Sequence, residues 1–300
     1  MKACGLILAG GVSKRFGGDK ALAILDGEPM VKHAARTLYQ AFGEVYLSVK
    51  TAERGSILFD AAMPYVSGFI VDVFDAGPLS GLLTAAHKVE AQVFVTAATD
   101  TPYLKPSSLS SLLQHHLESD ADAASVVWSN GAVETLIQAV KRTCLLNYAE
   151  KFLNLRRSFL RPSDILRSAE TLLLVHASNL TDNPLEFSNI NTIEDLSNPK
   201  PRGPLHGHVK NNLLITGCSK HFSDAAEKYG SWSYYLAGLG YMDEAATYLK
   251  HGVTHLSSHA FFDAAKTFQK AGNAEASNLM ERLALLAKKW MNIKEDLAEG

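Results

Sequence analysis

Short apolar runs alternate with amphipathic segments along the first two-thirds of the chain. The apolar runs have the length of strands, and the helical segments each open with a proline, which suits a first helical turn. The pattern predicts strands at residues 3–8, 44–49, 69–73, 92–97, 123–128 and 134–140. It predicts helices at residues 29–42, 78–89 and 106–117. Strands and helices that take turns in this way indicate a mostly parallel sheet covered on both faces.

A proline-rich segment ends this alternation. Residues 198–204 contain three prolines and one glycine, a composition typical of a linker. Beyond it the pattern is that of helices only. We therefore expect an α/β domain over residues 1–198, a linker over residues 199–207 and a helical domain over residues 208–300.

The helical part contains a loose internal repetition. Residues 222–229 resemble residues 262–268, and residues 240–245 resemble residues 272–276. Alanines beside spaced aromatic residues, with a glycine turn between helices, are typical of tetratricopeptide-type hairpins. Alanine-rich helices also resemble one another without any repeat, so the firmer prediction is a small bundle of helical hairpins. Its expected use is contact with a protein partner or with a second copy of the chain.

Composition excludes several classes of protein. The 300 residues are 47% hydrophobic, enough for one large core or two smaller ones, and the net charge of −2 does not favour nucleic-acid binding. The apolar runs are too short for a membrane span or a secretory signal. Cys4, Cys144 and Cys218 form no CxxC pair, which predicts reduced thiols without a zinc site. We expect a cytoplasmic protein that binds neither nucleic acid nor membranes.

The segment that follows the first strand is rich in glycine and basic residues. Residues 10–20 contain four glycines and three cations, so backbone N–H groups can surround phosphate oxygens while the cations neutralise them. It is not a Walker A loop, because Gly18 is followed by Asp19, Lys20 and Ala21, without the hydroxyl that holds magnesium. The glycine spacing does not match G-x-G-x-x-G either. The segment predicts a nucleoside triphosphate site of another class, the alternative being an ordinary strand-to-helix turn.

Five segments in order along the chain resemble the nucleotidyltransferase superfamily and, more narrowly, the molybdenum cofactor guanylyltransferases. They are Leu-Ala-Gly-Gly-x-Ser-x-Arg-x-Gly-x-Asp-Lys-Ala-Leu at 8–22, Gly-Pro-Leu-Ser-Gly at 77–81, Thr-Asp-Thr-Pro at 99–102, Glu-Thr-Leu at 134–136 and Asn-Ile-Asn-Thr-Ile-Glu-Asp-Leu at 189–196. The resemblance covers about the first two-thirds of the chain. It implies a Rossmann-like, mostly parallel sheet of the nucleotide-diphospho-sugar transferase type, followed here by the small all-α helical-hairpin domain.

The resemblance also implies which residues bind the nucleotide. They are Leu8, Ala9, Gly10, Gly11, Arg15, Lys20, Asp72, Gly77 and Asp100. Arg15 could bind phosphate with two parallel hydrogen bonds, and Lys20 could act as a point charge near the α-phosphate. Asp72 competes with Asp75 for the nucleotide-recognising aspartate, and Asp72 is favoured because Asp75 lies closer to Gly77 than the family spacing.

A carboxylate and two amides complete the predicted site. Asp100 follows an apolar strand directly, and a hard carboxylate in such a loop suits Mg²⁺, although an aspartate there could instead cap a helix. The family motif also places its metal ligand at Asp100. The resemblance places Asn189 and Asn191 near the acceptor, where amides add no negative charge. Residues 192–195 are also typical of a helix N-cap, so both uses are expected of this segment.

The implied chemistry needs no catalytic base. A phosphomonoester acceptor is already a dianion at neutral pH, so catalysis depends on positioning and on neutralisation by Arg15, Lys20 and a metal at Asp100. The resemblance implies Mg²⁺-dependent transfer of GMP from GTP to molybdopterin phosphate with release of pyrophosphate. The alternatives are cytidylyl transfer to molybdopterin, another phosphorylated acceptor such as a sugar phosphate or phospholactate, and a non-enzymatic adaptor on this scaffold. Thr135 departs from the family, which has proline there in the acceptor loop.

Overall fold

The computed structural model describes residues 2–10, 16, 18–74, 76–155 and 160–291. Its strands are β1 (Ala3–Leu8), β2 (Ile24–Leu25), β3 (Glu28–Pro29), β4 (Val45–Val49), β5 (Gly68–Val71), β6 (Val93–Ala98), β7 (Ala123–Val127), β8 (Val133–Lys141), β9 (Thr171–His176) and β10 (Leu213–Thr216). Its α-helices are α1 (Met30–Phe42), α2 (Ala52–Ala62), α3 (Pro78–Lys88), α4 (Pro106–Ser119), α5 (Arg142–Phe152), α6 (Ser163–Ser168), α7 (Ile193–Ser197), α8 (Cys218–Gly230), α9 (Tyr234–Lys250), α10 (Thr254–Lys270) and α11 (Ala274–Met291).

The large sheet is mostly parallel, as predicted. Its strand order is β10-β9-β7-β8-β6-β1-β4-β5. β1 pairs in parallel with β4 and with β6, whereas β8 runs antiparallel to both of its neighbours. Leu8, the last residue of β1, lies opposite Ser48 on β4 and Ala98 on β6. The carboxyl ends of three central strands therefore meet at one edge, where ligands of open α/β sheets bind.

Helices cover both faces of this sheet because its central strands are apolar on both sides. Every residue of β6 is buried, as expected for a strand with helices above and below it. Helix α1 ends at Gly43, which adopts the left-handed φ of 74° that glycine accepts without strain. Helix α3 begins directly behind Gly77, whose φ is 56°. Gly43 thus lies in the turn from α1 to β4, and Gly77 lies in the turn from the end of β5 to α3.

The predicted strands and helices of the α/β part are confirmed, with boundaries that differ by no more than two residues. The expectation of helices alone after residue 204 is wrong at one place. The strand β10 pairs antiparallel with β9 and forms one edge of the sheet. It is only four residues long and half exposed, so its sequence carries little alternation of apolar and polar positions.

The proline-rich segment packs against the sheet. Ser188 donates from Oγ to the carbonyl of Lys200 over 2.6 Å, and Arg202 Nε lies 3.2 Å from a carboxylate oxygen of Glu134. A Cβ added to Gly203 would lie 2.6 Å from the Trp128 ring. Residues 199–207 are thus held by specific contacts, and the division of the chain into domains at this segment stays a proposal.

The helices α8 to α11 confirm the predicted helical hairpins, joined by short turns. Phe222 of α8 and Tyr241 of α9 are fully buried and belong to the same apolar cluster as Phe94 of β6. The helical part therefore shares a core with the α/β part. None of the helices in the described ranges has the length and apolarity that a bilayer crossing requires.

Candidate active site

A cavity of about 230 Å³ lies at the carboxyl edge of β1, β4 and β6. It brings together the predicted residues Leu8, Ala9, Gly10, Lys20, Asp72, Gly77 and Asp100. Predicted Gly11 and Arg15 lie outside the described residues. The cavity joins three segments that are distant in sequence, which is what the order of the strands predicts.

Asp100 lies at the end of β6 and presents two different carboxylate oxygens. Oδ2 accepts a hydrogen bond of 2.7 Å from Lys20 Nζ. Oδ1 is buried and has no hydrogen-bond partner among the described residues. The next helix, α4, begins at Pro106 behind Lys105, so Asp100 does not cap it. A buried carboxylate oxygen without a partner is costly unless a cation or donor binds it, and Asp100 is therefore suited to hold a metal ion.

Lys20 is positioned by a short turn. Asp19 accepts from Ala21 N through Oδ1 over 3.1 Å and so caps the 3₁₀ turn Lys20–Leu22. Besides Asp100, Lys20 Nζ reaches Asn191 Oδ1 at 3.4 Å. The ammonium group lies between the glycine-rich segment, the end of β6 and the asparagine segment, where it can neutralise an incoming phosphate.

The asparagine segment lies beside Asp100. Ile190 N donates to the Asp100 carbonyl over 2.8 Å, and Asn189 Oδ1 is buried without a hydrogen-bond partner in the described part of the chain. The predicted N-cap is also present, since Thr192 and Asp195 form a capping box at the start of α7. The cap fixes the segment, and Asn191 reaches the same ammonium group, Lys20 Nζ, that binds Asp100. Neither Asn189 nor Asn191 is among the described residues that line the cavity.

Asp72 is the described candidate for nucleotide recognition, and Asp75 lies outside the described residues. Ser48 Oγ donates to Asp72 Oδ1 over 2.7 Å, and burial raises the pKa of the Asp72 carboxyl. A Cβ added to Gly10 would lie 3.4 Å from Asp72 Oδ2. The absence of a side chain at position 10 keeps the space in front of this carboxylate open.

Glu134, in the fourth of the resembling segments, faces the interior. It accepts from Trp128 Nε1 over 2.7 Å and from Arg202 Nε, and burial raises the pKa of its carboxyl. Leu136, two residues on, lines the cavity. Glu134 thus ties the proline-rich segment to β8 and fixes the strand that carries Leu136.

Sequence reasoning missed two cations of the cavity, Lys50 and Arg54. Both follow β4, and Arg54 lies in the first turn of α2, behind the cap Thr51. Arg54 Nε donates to the Ala9 carbonyl over 3.2 Å. Their positions after a strand that neighbours β1 were a usable signal, but α2 itself was not predicted.

The chain matches the model of the MobA-like NTP transferase domain over residues 5–170, more than half of its length. It belongs to this family. The molybdenum cofactor guanylyltransferase of Shewanella putrefaciens is 30% identical over 202 residues, 63% of this chain and 92% of that protein. The molybdenum cofactor guanylyltransferase of Ralstonia pickettii is 30% identical over 207 residues, which cover 64% of this chain and 93% of that protein.

A solved structure shows the same fold as this MobA-like chain. It is molybdopterin-guanine dinucleotide biosynthesis protein A from Archaeoglobus fulgidus, with a TM-score of 0.52 and 20% identity. The match covers 65% of this chain and 95% of the other. The protein is a nucleotidyltransferase, and its helical tail adds to a domain of the length that these relatives have.

The charges of the cavity suit this class of reaction. Among the described lining residues, Lys20, Lys50 and Arg54 are opposed by the carboxylates of Asp72 and Asp100. Within the described ranges, no group of three or more His, Cys, Asp or Glu side chains forms a metal site. One carboxylate is enough for Mg²⁺ where phosphate oxygens and water complete the coordination.

Proposed function

We propose that this MobA-like enzyme transfers GMP from GTP to the phosphate of molybdopterin and releases pyrophosphate. The observation that carries the proposal is the pair Lys20 and Asp100, with a buried carboxylate oxygen that has no described partner. The names of the relatives support the guanylyl group and the molybdenum cofactor.

The residues of the chain supply positioning and charge. Asp100 would hold Mg²⁺, and the ion when bound neutralises the phosphate oxygens. Lys20, drawn from Asp100 toward the α-phosphate, neutralises the charge that develops there, and Arg15 is proposed to bind the neighbouring phosphates. Gly10 and Gly77 leave room for the nucleotide, and Asp72 accepts hydrogen bonds from its base. Asn189 and Asn191 orient the acceptor, whose dianionic phosphate attacks without a general base.

Calorimetric titration of GTP, CTP and ATP with Mg²⁺ tests the nucleotide. We expect selective GTP binding, weakened at least about tenfold in Asp100→Asn because the metal ligand is lost. Asp60→Asn, an exposed carboxylate on α2, is the control and should bind GTP as the wild type does. Selective CTP binding would instead indicate cytidylyl transfer, and no nucleotide binding would indicate an adaptor.

Pyrophosphate release tests the acceptor. With GTP and Mg²⁺ we expect release only when molybdopterin is added, reduced by about a hundredfold or more in Asp100→Asn. Release with a sugar phosphate or phospholactate, but not with molybdopterin, would contradict the proposed acceptor. The free Cys4, Cys144 and Cys218 fit a reducing compartment, and we place the reaction in the cytoplasm.

The helical tail is proposed to bind a second copy of the chain. Leu279, Leu286 and Trp290 of α11 are more than half exposed and, with Leu283, recur at spacings of four and three residues, as in a coiled-coil seam. Glu275 lies two heptads before Lys289 on one flank of this stripe. Antiparallel pairing of two copies places each Glu275 against the partner's Lys289, which favours self-association over an uncharged apolar partner.

A further inference from the structure

Arg54 contacts both ends of the glycine-rich segment. Its Nε donates to the Ala9 carbonyl over 3.2 Å, directly after β1. Its Nη2 donates to Asp19 Oδ1 over 3.0 Å, and Nη1 donates to the other oxygen of the same carboxylate. Ala9 directly precedes the glycine-rich segment, residues 10–20, and Asp19 is the last residue but one within it. One guanidinium therefore joins the entry and the exit of the segment.

The same contacts fix the turn that carries Lys20. Asp19 caps this turn through Ala21 N with Oδ1, while its carboxylate is held in the planar fork of Arg54. Arg54 is itself anchored, since its backbone N donates to Thr51 Oγ1 over 3.3 Å at the start of α2. A lysine cannot reproduce this arrangement, because a single ammonium does not present three donors in one plane.

We propose that Arg54 is a positioning residue that orders the two ends of the glycine-rich segment, and with them Lys20, before the nucleotide binds. The proposal rests on the proposed nucleotide site. A segment whose ends are already joined loses less conformational freedom on binding, so more of the interaction with phosphate appears as affinity. Arg54 also lines the cavity, and a direct contact with phosphate is the competing explanation.

The affinity for GTP with Mg²⁺ separates positioning from direct contact. Arg54→Met and Asp19→Asn should each weaken binding about tenfold or more, and the double variant should be no weaker than the single ones, because all three break the same link. Arg54→Lys should not restore affinity. Wild-type affinity in Arg54→Met, or loss in Arg54→Met with full affinity in Asp19→Asn, would overturn the proposal.

Arg36→Met is the matched control. Arg36 pairs with Glu28 on another element, away from the cavity, and its side chain is 31% exposed against 28% for Arg54. Its removal should cost similar stability in thermal unfolding but leave GTP affinity unchanged. Equal losses of affinity in both variants would show a general structural effect and overturn the assignment.

Hydrogen–deuterium exchange of the nucleotide-free protein tests the link independently of the proposed function. We expect faster exchange of the amides of residues 18–22 in Arg54→Met and Asp19→Asn than in wild type and Arg36→Met. Unchanged exchange in Arg54→Met would overturn the proposal. If wild type binds no nucleotide while the exchange changes as expected, the proposed function fails and the link between the segment ends stands.

Discussion

His116 lies fully buried on α4, and neither ring nitrogen has a hydrogen-bond partner among the described residues. Burial lowers the pKa of its imidazole from 6.5 to about 4. Below pH 6.5 the His116 imidazole is protonated in the unfolded chain but stays neutral in the folded chain. The stability of the folded state therefore falls as the pH falls toward 4.

We therefore expect His116→Leu to be at least as stable as wild type at pH 7, since leucine brings no unpaired nitrogen into the core. The variant should have a higher free energy of unfolding than wild type at pH 5, and this advantage should be on the order of 2 kcal/mol larger than at pH 7. The difference is the free energy of the lowered pKa acting over about one and a half pH units. Urea denaturation across pH 5 to 7 measures this difference. Parallel curves for the two proteins would contradict it.

The residues of the cavity differ in whether a local sequence pattern predicts their position and contacts. Gly10, Lys20 and Asp100 lie in short motifs next to predicted strands, so their meeting at one edge followed from strand order. Arg54 also follows a predicted strand, but its partners, Ala9 and Asp19, are 45 and 35 positions away, so its contacts could not be predicted. A pairing over that separation depends on how α2 packs, which no local pattern contains.

Strands could be predicted where both faces of the strand are buried, because the sequence there is a continuous apolar run. The strand β6 is buried throughout and was predicted within one residue, whereas β10 is short, half exposed and at the sheet edge. The strand β9 was also missed, although it is apolar and buried; it lies beyond a helix, α6, of only six residues. The predicted alternation of strands and helices therefore stopped before the last two strands of the sheet.

The helix α11 carries the prediction on self-association. Leu286→Glu places a charge in the proposed seam, and we expect it to convert a dimer into a monomer in sedimentation-velocity experiments at tens of micromolar protein. Leu236→Glu on α9 is the control, because Leu236 is 53% exposed against 59% for Leu286 but lies outside the seam. A monomeric wild type, or a dimer that survives Leu286→Glu, would contradict the proposal.

At the scale of the whole molecule, a buried charge network joins the tail to the α/β part. Arg167 of α6 binds Glu244 of α9 through two hydrogen bonds of 2.6 and 2.7 Å, and Asp263 of α10 at 2.6 Å. Asp164 completes the network at 3.1 Å. Burial raises the pKa of Glu244 to about 6, and the hydrogen bonds and positive charge of Arg167 oppose this rise, so the ionised form of Glu244 depends on Arg167.

Because the network and the core are shared, we expect the α/β part and the tail to unfold together in one urea transition, with circular dichroism and tryptophan fluorescence coincident. Arg167→Met should destabilise the chain by about 3–5 kcal/mol, since it removes the cation that the buried carboxylate of Glu244 binds. Arg161→Met is the matched control; Arg161 also binds Asp263, but its side chain is 22% exposed and it should matter much less. Two separate transitions in wild type would show that the tail folds on its own, and equal losses in the two variants would contradict the larger contribution expected of the buried Arg167.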